Sequence, residues 1–293
     1  MNTDFTYRGK VITKADIEFI KKLIAENPHD SRRRLSYKLC EAWNWVQKNG
    51  ALRDMVCRGM MLELHRAGHI TLPAKQASPS NPFLQRKTVP EIQIDQTPFE
   101  TTVAKIKPLM FQQVRRSRQE QLCDSLIAQY HYLGYTRPVG EHLKYIVFSE
   151  KRPVACLIWS SAPYHIGCRD QFIRWSKTVR KENLPLIAYN SRFLILPWVK
   201  AHCLASHILG RMAAILPKDW ESVYNHPVYY LETFVDTELY TGTCYKAANW
   251  IYLGQTTGRG IKEKTKRITR SIKAVWGYPL TPDFRKFLCH LPN

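Results

Sequence analysis

The stretch from Ala74 to Glu100 sets Pro79, Pro82, Pro90 and Pro98 among polar residues. Proline has no amide hydrogen and holds the chain extended, so neither a helix nor a central strand is expected to cross this interval. The chain is therefore expected to fold as separate pieces: a first domain over 1–73, a linker or wrapping arm over 74–110, and a second domain over 111–293.

The first piece has helical periodicity. Thr13 with Asp16 makes a capping pair, followed by Ile17, Ile20, Leu23 and Ile24 on one face, and Asn27-Pro28 ends that helix. Ser31 caps a second helix with Leu35, Leu39, Trp43 and Val46 at helical spacing. Asn49-Gly50 signals a turn, a third helix carries Val56, Met60 and Leu64, and Gly68 stops it before Ile70-Thr71-Leu72, which alternates like a short strand. Three helices and a strand predict a winged helix-turn-helix. A small helical bundle that docks another protein is the alternative.

The second piece is mixed. Ser117 and Glu120 predict a capping box for a helix with Leu122, Leu126 and Tyr130 inward. Tyr145–Phe148 and Val154–Trp159 read as a hairpin, Arg169 to Asn183 as a helix, and Phe193–Leu196 as a central strand. His202 to Leu216 predicts a helix, Tyr229 to Val235 a strand, Thr243 to Trp250 a helix closed by Gly254, and Ile272 to Leu280 a last strand. The expected fold class is α/β.

Charge narrows the partner. Lys and Arg number 44 against 24 Asp and Glu, a net charge of +20. That surplus points to a polyanion, DNA before acidic lipid. Arg32, Arg33 and Arg34 open the second helix, Arg53 and Arg58 lie on the third, and Arg115 and Arg116 form a further cluster. Arg259, Lys262, Lys264, Lys266, Arg267 and Arg270 follow one another with only Glu263 opposed. Such runs suit phosphate contact; a solvated face is the alternative. No apolar run is long enough to span a membrane, and the polar start at Met1 to Lys10 lacks the apolar core of a signal peptide. The eight cysteines stand singly, as expected of reduced thiols in the cytoplasm. His165-x-x-Cys168 and His202-Cys203 have no complementary pair at ligand spacing, so no metal site is expected.

The order helix, hairpin, central strand, helix, strand, helix, strand is similar to the core of the GCN5-related acetyltransferase (GNAT) fold. More narrowly, the sequence resembles the Druantia anti-phage DruA family, whose domain also occurs in transposase-associated proteins. The strings that carry the resemblance are His131-Tyr132-Leu133-Gly134, Arg169-Asp170-x-Phe172-Ile173-x-Trp175, Asn190-x-Arg192-Phe193-Leu194-Ile195-Leu196-Pro197 and Leu231-Glu232-Thr233-Phe234-Val235-Asp236. A fifth runs from Gly242-Thr243-Cys244-Tyr245 through Asn249-Trp250 to Gly258-Arg259-Gly260. The expected architecture is thus the winged helix-turn-helix followed by a GNAT-like domain, and the resemblance implies a chain serving phage defence or a mobile element beside other proteins of that system.

Candidate chemistry centres on Glu232 and Asp236, with Arg192 as the cation expected to pair with a buried Glu232. Four residues apart on a strand, the carboxylates would be about 13 Å from one another, too far for one metal or a glycosidase-type pair. Tyr245, Asn249 and Trp250 either contact a base or belong to the core. The GNAT resemblance implies coenzyme A, yet Pro197 to Ser206, where its pyrophosphate would meet backbone amides, has no glycine, so the cofactor stays unassigned. A platform that grips DNA is the leading expectation. The alternatives are an enzyme that cleaves or modifies DNA with Glu232 and Asp236, and an acyltransferase with a degenerate coenzyme A loop.

Overall fold

A computed structural model of the chain describes residues 5–7, 10–47, 50–74, 89–106, 108–258 and 271–291. Asn49 and the series Arg259, Lys262, Lys264, Lys266, Arg267 and Arg270 lie outside these residues. The chain divides into two compact units, 1–88 with 220–226, and 89–219 with 227–293.

The first unit opens on a ribbon, β1 (Phe5–Tyr7) against β2 (Lys10–Ile12), followed by α1 (Lys14–Glu26), α2 (Arg32–Ala42) and α3 (Asp54–Arg66). Thr13 and Asp16 form the expected capping box, each accepting from the other's backbone amide, and Ser31 Oγ accepts from Arg34 N–H at the start of α2. Leu35, Leu39, Met60 and Leu64 are wholly buried in one core. Each such side chain contributes about 1.5–3 kcal/mol on leaving water. Two expectations fail here. Helix α2 ends at Ala42, so Val46 is not on it and instead makes an antiparallel bridge to Leu52. Ile70 to Leu72 is no strand: both apolar side chains are buried, and the Ile70 carbonyl lies 3.1 Å from His65 Nδ1 instead of on a partner strand.

The second unit is a mixed α/β fold. Its strands and helices are β3 (Phe99–Thr102), α4 (Val103–Ile106), β4 (Leu109–Gln113), α5 (Glu120–Tyr130), β5 (His142–Ser149), β6 (Arg152–Ser161), α6 (Gly167–Ile173) and α7 (Lys177–Asn183). There follow β7 (Ile187–Ile195), β8 (Val199–His202), α8 (Leu204–Tyr224, whose residues from Trp220 on belong to the first unit), β9 (Tyr230–Asp236), α9 (Thr243–Ala247), β10 (Ile251–Gln255), β11 (Lys273–Pro279) and α10 (Phe284–Leu288). Seven strands pair in the order β10-β11-β9-β7-β6-β5-β4, antiparallel except for the parallel junction of β7 with β9. The hairpin and the central strand stand where the sequence put them, the hairpin turning at Glu150 with φ of 53°.

Several boundaries differ. The interval expected to be an arm carries β3 and β4, and β3 pairs in parallel with β8. Ser117 does not cap α5: its hydroxyl donates to the Val114 carbonyl, and Glu120 reaches back to Arg116 N–H. The expected helix over Arg169 to Asn183 breaks at Arg174, whose φ is 70°, and Ser176 caps a second helix. Thr243 stands inside α9 behind Gly242, and the helix ends before Asn249 (φ 61°), so that Ile251 begins an edge strand.

Candidate functional site

The chemistry gathers where the two parallel strands part. β7 and β9 pair from Ile187 opposite Tyr230 to Asn190 opposite Thr233, and no further. On the other side of β7, Ile158 faces Arg192 while Trp159 faces Asn190, so Ser191 is an inserted residue, a β-bulge. A bulge bends its strand, and this one stands where the strands separate. Ser191 Oγ donates to the Ile158 carbonyl at 3.2 Å. The gap beyond is a cleft of about 340 Å³ lined from β7, β9, α9 and the loop after α5.

That loop holds His131-Tyr132-Leu133-Gly134, and two cations fix it. Arg192 Nε donates to the Gly134 carbonyl at 2.9 Å and Nη1 to the Ser191 carbonyl at 2.7 Å. Lys144, nearly wholly buried on β5, donates to Asp124 at 2.6 Å and to Tyr135 Oη at 3.1 Å, and lies 2.9 Å from Glu120. Burial opposes the Lys144 charge, but Asp124 and Glu120 outweigh it and hold the ammonium pKa above its ordinary value. Gly134 turns the loop with φ of 58°.

Within the cleft, Leu133 N–H donates to His131 Nδ1 at 3.2 Å, which puts the ring proton of neutral His131 on Nε2. Burial, then Arg192 and Lys273, push the His131 pKa down to about 4. Its ring stacks on Tyr132 at 4.9 Å, and Tyr132 in turn lies 5.5 Å from Tyr240. Burial and the neighbouring Asp236 raise the Tyr132 phenol. Asp236, at the end of β9, accepts from Ser271 Oγ at 2.7 Å and from Glu238 N–H at 3.2 Å. Tyr245, buried below the cleft and raised by that burial, donates to Asn190 Oδ1 at 3.3 Å.

Glu232 is elsewhere. It has no exposed surface and is not among the cleft residues. Its partner is Arg169, at 3.4 Å and equally buried, and not Arg192 as the sequence suggested. Arg192 is spent on two carbonyls of its own neighbourhood. Arg169 also binds Asp170 at 2.7 Å and the Pro163 carbonyl at 3.0 Å, and Asp170 collects Arg180, His165 and Trp175 Nε1. Burial raises the Glu232 carboxyl to about 7 against the pull of Arg169. Burial likewise opposes the Asp170 charge, but Arg169 and its other partners hold its pKa below the usual value. Glu232 and Asp236 thus do not form a pair: one is sealed in a buried ionic cluster, the other opens on the cleft.

Residues 63–288 match the family model described as Druantia protein DruA. The chain belongs to the DruA family. No curated protein matches it. Among solved structures, the DruA chain is similar to a ribosomal-protein-S18-alanine N-acetyltransferase from Escherichia coli, with 13% identity over 59% of this chain and 94% of that one, at a TM-score of 0.38. It is similar to an N-acetyltransferase from Staphylococcus aureus Mu50, with 8% identity over 59% and 97%, at 0.37. A third is an aminoglycoside N(6')acetyltransferase from Legionella pneumophila, with 12% identity over 61% and 95%, at 0.37. Superpositions this loose say nothing of what a DruA chain binds.

Four of the five family strings meet at the cleft: His131 to Gly134, Asn190 with Arg192, Thr233 to Asp236, and Gly242 to Tyr245. The fifth, around Arg169, supplies the buried cluster beneath. Sequence reasoning gave His131 and Tyr132 no role, and missed Tyr240 and Lys144; a lone lysine inside the apolar run of β5 was the available signal for the last.

The arginines of the first unit are largely engaged within it. Arg32 donates to the Pro73 carbonyl, Arg34 lies 3.5 Å from Asp30, Arg53 donates to the Val46 carbonyl, and Arg58 pairs with Asp54 at 3.0 Å. Arg33 and Arg34 are both exposed, Arg33 bonded to Tyr37 Oη. In the second unit Arg115 is buried, which removes it from any phosphate, whereas Arg116 is exposed.

Coenzyme A does not fit the place the GNAT resemblance assigns it. The backbone of Val199 to His202 is taken up in the parallel ladder with Phe99 to Thr102, and Val199 N–H is bonded to the Leu196 carbonyl. Cys203, not a glycine, makes the left-handed turn into α8, with φ of 62°. Side chains stand where phosphate would need backbone amides. Among the described residues no group of three or more His, Cys, Asp or Glu is placed to hold a metal ion, and no helix is long and apolar enough to cross a membrane.

Proposed function

We propose that this DruA-family chain is a DNA-binding component of an anti-phage defence system or mobile element, acting in the cytoplasm, and that DNA meets it at the mouth of the strand-junction cleft. The observation that carries this reading is where the most cationic segment is attached. Arg259, Lys262, Lys264, Lys266, Arg267 and Arg270 are flanked by Gly258 and Ser271. Ser271 Oγ donates to the cleft residue Asp236, Thr237 Oγ1 to the Ile272 carbonyl, and Thr256 N–H to the Lys273 carbonyl. Both ends of the segment are therefore tied beside the cleft. Phosphates attract mobile cations without regard to sequence, so such a segment favours holding a nucleic-acid backbone there. In the first unit, α2 and α3 would serve as a helix-turn-helix, with exposed Arg33 as a secondary contact.

Fluorescence anisotropy with labelled single-stranded and duplex DNA tests this. Serine at Lys262, Lys264, Lys266, Arg267 and Arg270 together is expected to remove most of the affinity at moderate salt, and Arg33→Ser to remove much less. Absence of binding at low salt, or full affinity in the five-site variant, would contradict the proposal. DNA recovered nicked or altered by wild type, but intact with Asp236→Asn, would make the chain an enzyme instead.

A further inference from the structure

We propose that the cleft receives a single unpaired nucleobase of the bound DNA, stacked on the ring ladder of His131, Tyr132 and Tyr240. This rests on the DNA-binding reading above and names what enters the site.

The rings are the first ground. His131 and Tyr132 stack with an interplanar angle of 27°, and Tyr132 meets Tyr240 at 59°. Tyr132 is 41% exposed and Tyr240 52%, with Leu133 and Leu239 beside them also exposed. Tyr132, Leu133 and Tyr240, all exposed and all lining the cleft, form an apolar, aromatic shelf open to a flat partner. Every base offers a π-face to such a shelf.

Size is the second. A cleft of about 340 Å³ is at the small end of ligand sites, which run from about 300 to 1,000 Å³. It suits one base and excludes a duplex. A base inside a duplex does not present its face, so the occupant must be unpaired or turned out of the stack.

Polar edges are the third. From the described residues the Asp236 carboxylate accepts two hydrogen bonds, Ser271 Oγ on one oxygen and Glu238 N–H on the other, and a carboxylate has capacity for about four. Asp236 lines the cleft, and an acceptor there matches an exocyclic amino group, as on cytosine or adenine, better than thymine. Neutral His131 offers Nε2–H as a donor. The loop carrying the rings is clamped by Arg192 and Lys144, so the shelf is held before any ligand arrives.

The test uses the full chain and a fluorescein-labelled single strand containing one 5-iododeoxycytidine. Anisotropy measures binding, and irradiation followed by peptide mass spectrometry locates the base. The photocross-link is expected on the peptide bearing Tyr132 or Tyr240. Tyr132→Leu and Tyr240→Leu should each weaken binding at least about fivefold and lose the cross-link, while Tyr132→Phe, which keeps the ring, should retain both. Both side chains are exposed, so thermal melting of the variants should match wild type. Binding that persists in both leucine variants, with the cross-link elsewhere, overturns the base pocket and leaves the DNA-binding reading intact. Absence of binding in wild type fails the DNA-binding reading, and the pocket with it. Equal affinity for thymine and cytosine strands that Asp236→Asn does not alter removes Asp236 as the reader of the edge.

Discussion

A carboxylate with no exposed surface and one guanidinium at 3.4 Å must hold its charge against burial or take up a proton, and Glu232 sits near that balance, its pKa raised to about 7 from 4.5. Between these values the folded chain binds the proton more tightly than the unfolded one. The Glu232 contribution to stability is therefore fullest below about pH 4.5 and is lost as pH rises to about 7. Urea unfolding across that window should show Glu232→Gln gaining on wild type as pH rises and levelling off above it; a difference independent of pH would remove the raised pKa. Arg169→Met leaves the charge unpaired and should cost about 3–5 kcal/mol above neutral pH, and less in acid. Gly277 is tested separately. A β-carbon there would collide with Tyr230 Oη, a buried hydroxyl with no hydrogen-bond partner among the described residues. Gly277→Ala should cost about 1–3 kcal/mol in thermal or urea melts, and Tyr230→Phe should restore part of it. At this scale the sequence anticipated a buried, paired Glu232 and named the wrong partner. Arg192 and Glu232 lie on neighbouring strands, but the register of β7 on β9 sets Glu232 opposite Tyr189, three residues short of Arg192, and nothing in either string signals that register.

Elements with an apolar face of their own were legible. The helices of the first unit, the β5–β6 hairpin and the central strand all announce themselves by period, because each buries a stripe or a face regardless of what pairs with it. The short strands β3, β8 and β10 were not, since each exists by virtue of its partner: Phe99 to Thr102 is extended only because Val199 to His202 lies beside it. The bulge at Ser191 was equally silent, although it shapes the cleft. The loop from His131 to Gly134 gives the prediction at this scale. Arg192→Ala removes two charge-assisted hydrogen bonds to carbonyls, each worth about 1.5–3 kcal/mol locally. Amide hydrogen exchange at Leu133 and Gly134 should accelerate while β5 and β6 keep their protection. Unchanged exchange in the loop would mean that Lys144 and the Gly134 turn hold it without Arg192.

For the whole molecule, charge is the property the sequence declared and folding redistributes. Of the cations behind the surplus of +20, the first unit bonds Arg32, Arg53 and Arg58 to its own carbonyls and a carboxylate and leaves Arg33 and Arg34 exposed, and the second buries Arg115. The proposed DNA contact is the cationic series Arg259 to Arg270, whose neighbour Ser271 is bonded to Asp236 of the cleft. The measurement that tests this most directly is the dependence of DNA affinity on salt, as the slope of log Kd against log salt for wild type and for the variant with serine at Lys262, Lys264, Lys266, Arg267 and Arg270. The account predicts a steep slope in wild type, shallower by about 0.7–0.9 for each phosphate that the variant no longer neutralises. Equal slopes for the two proteins would contradict it.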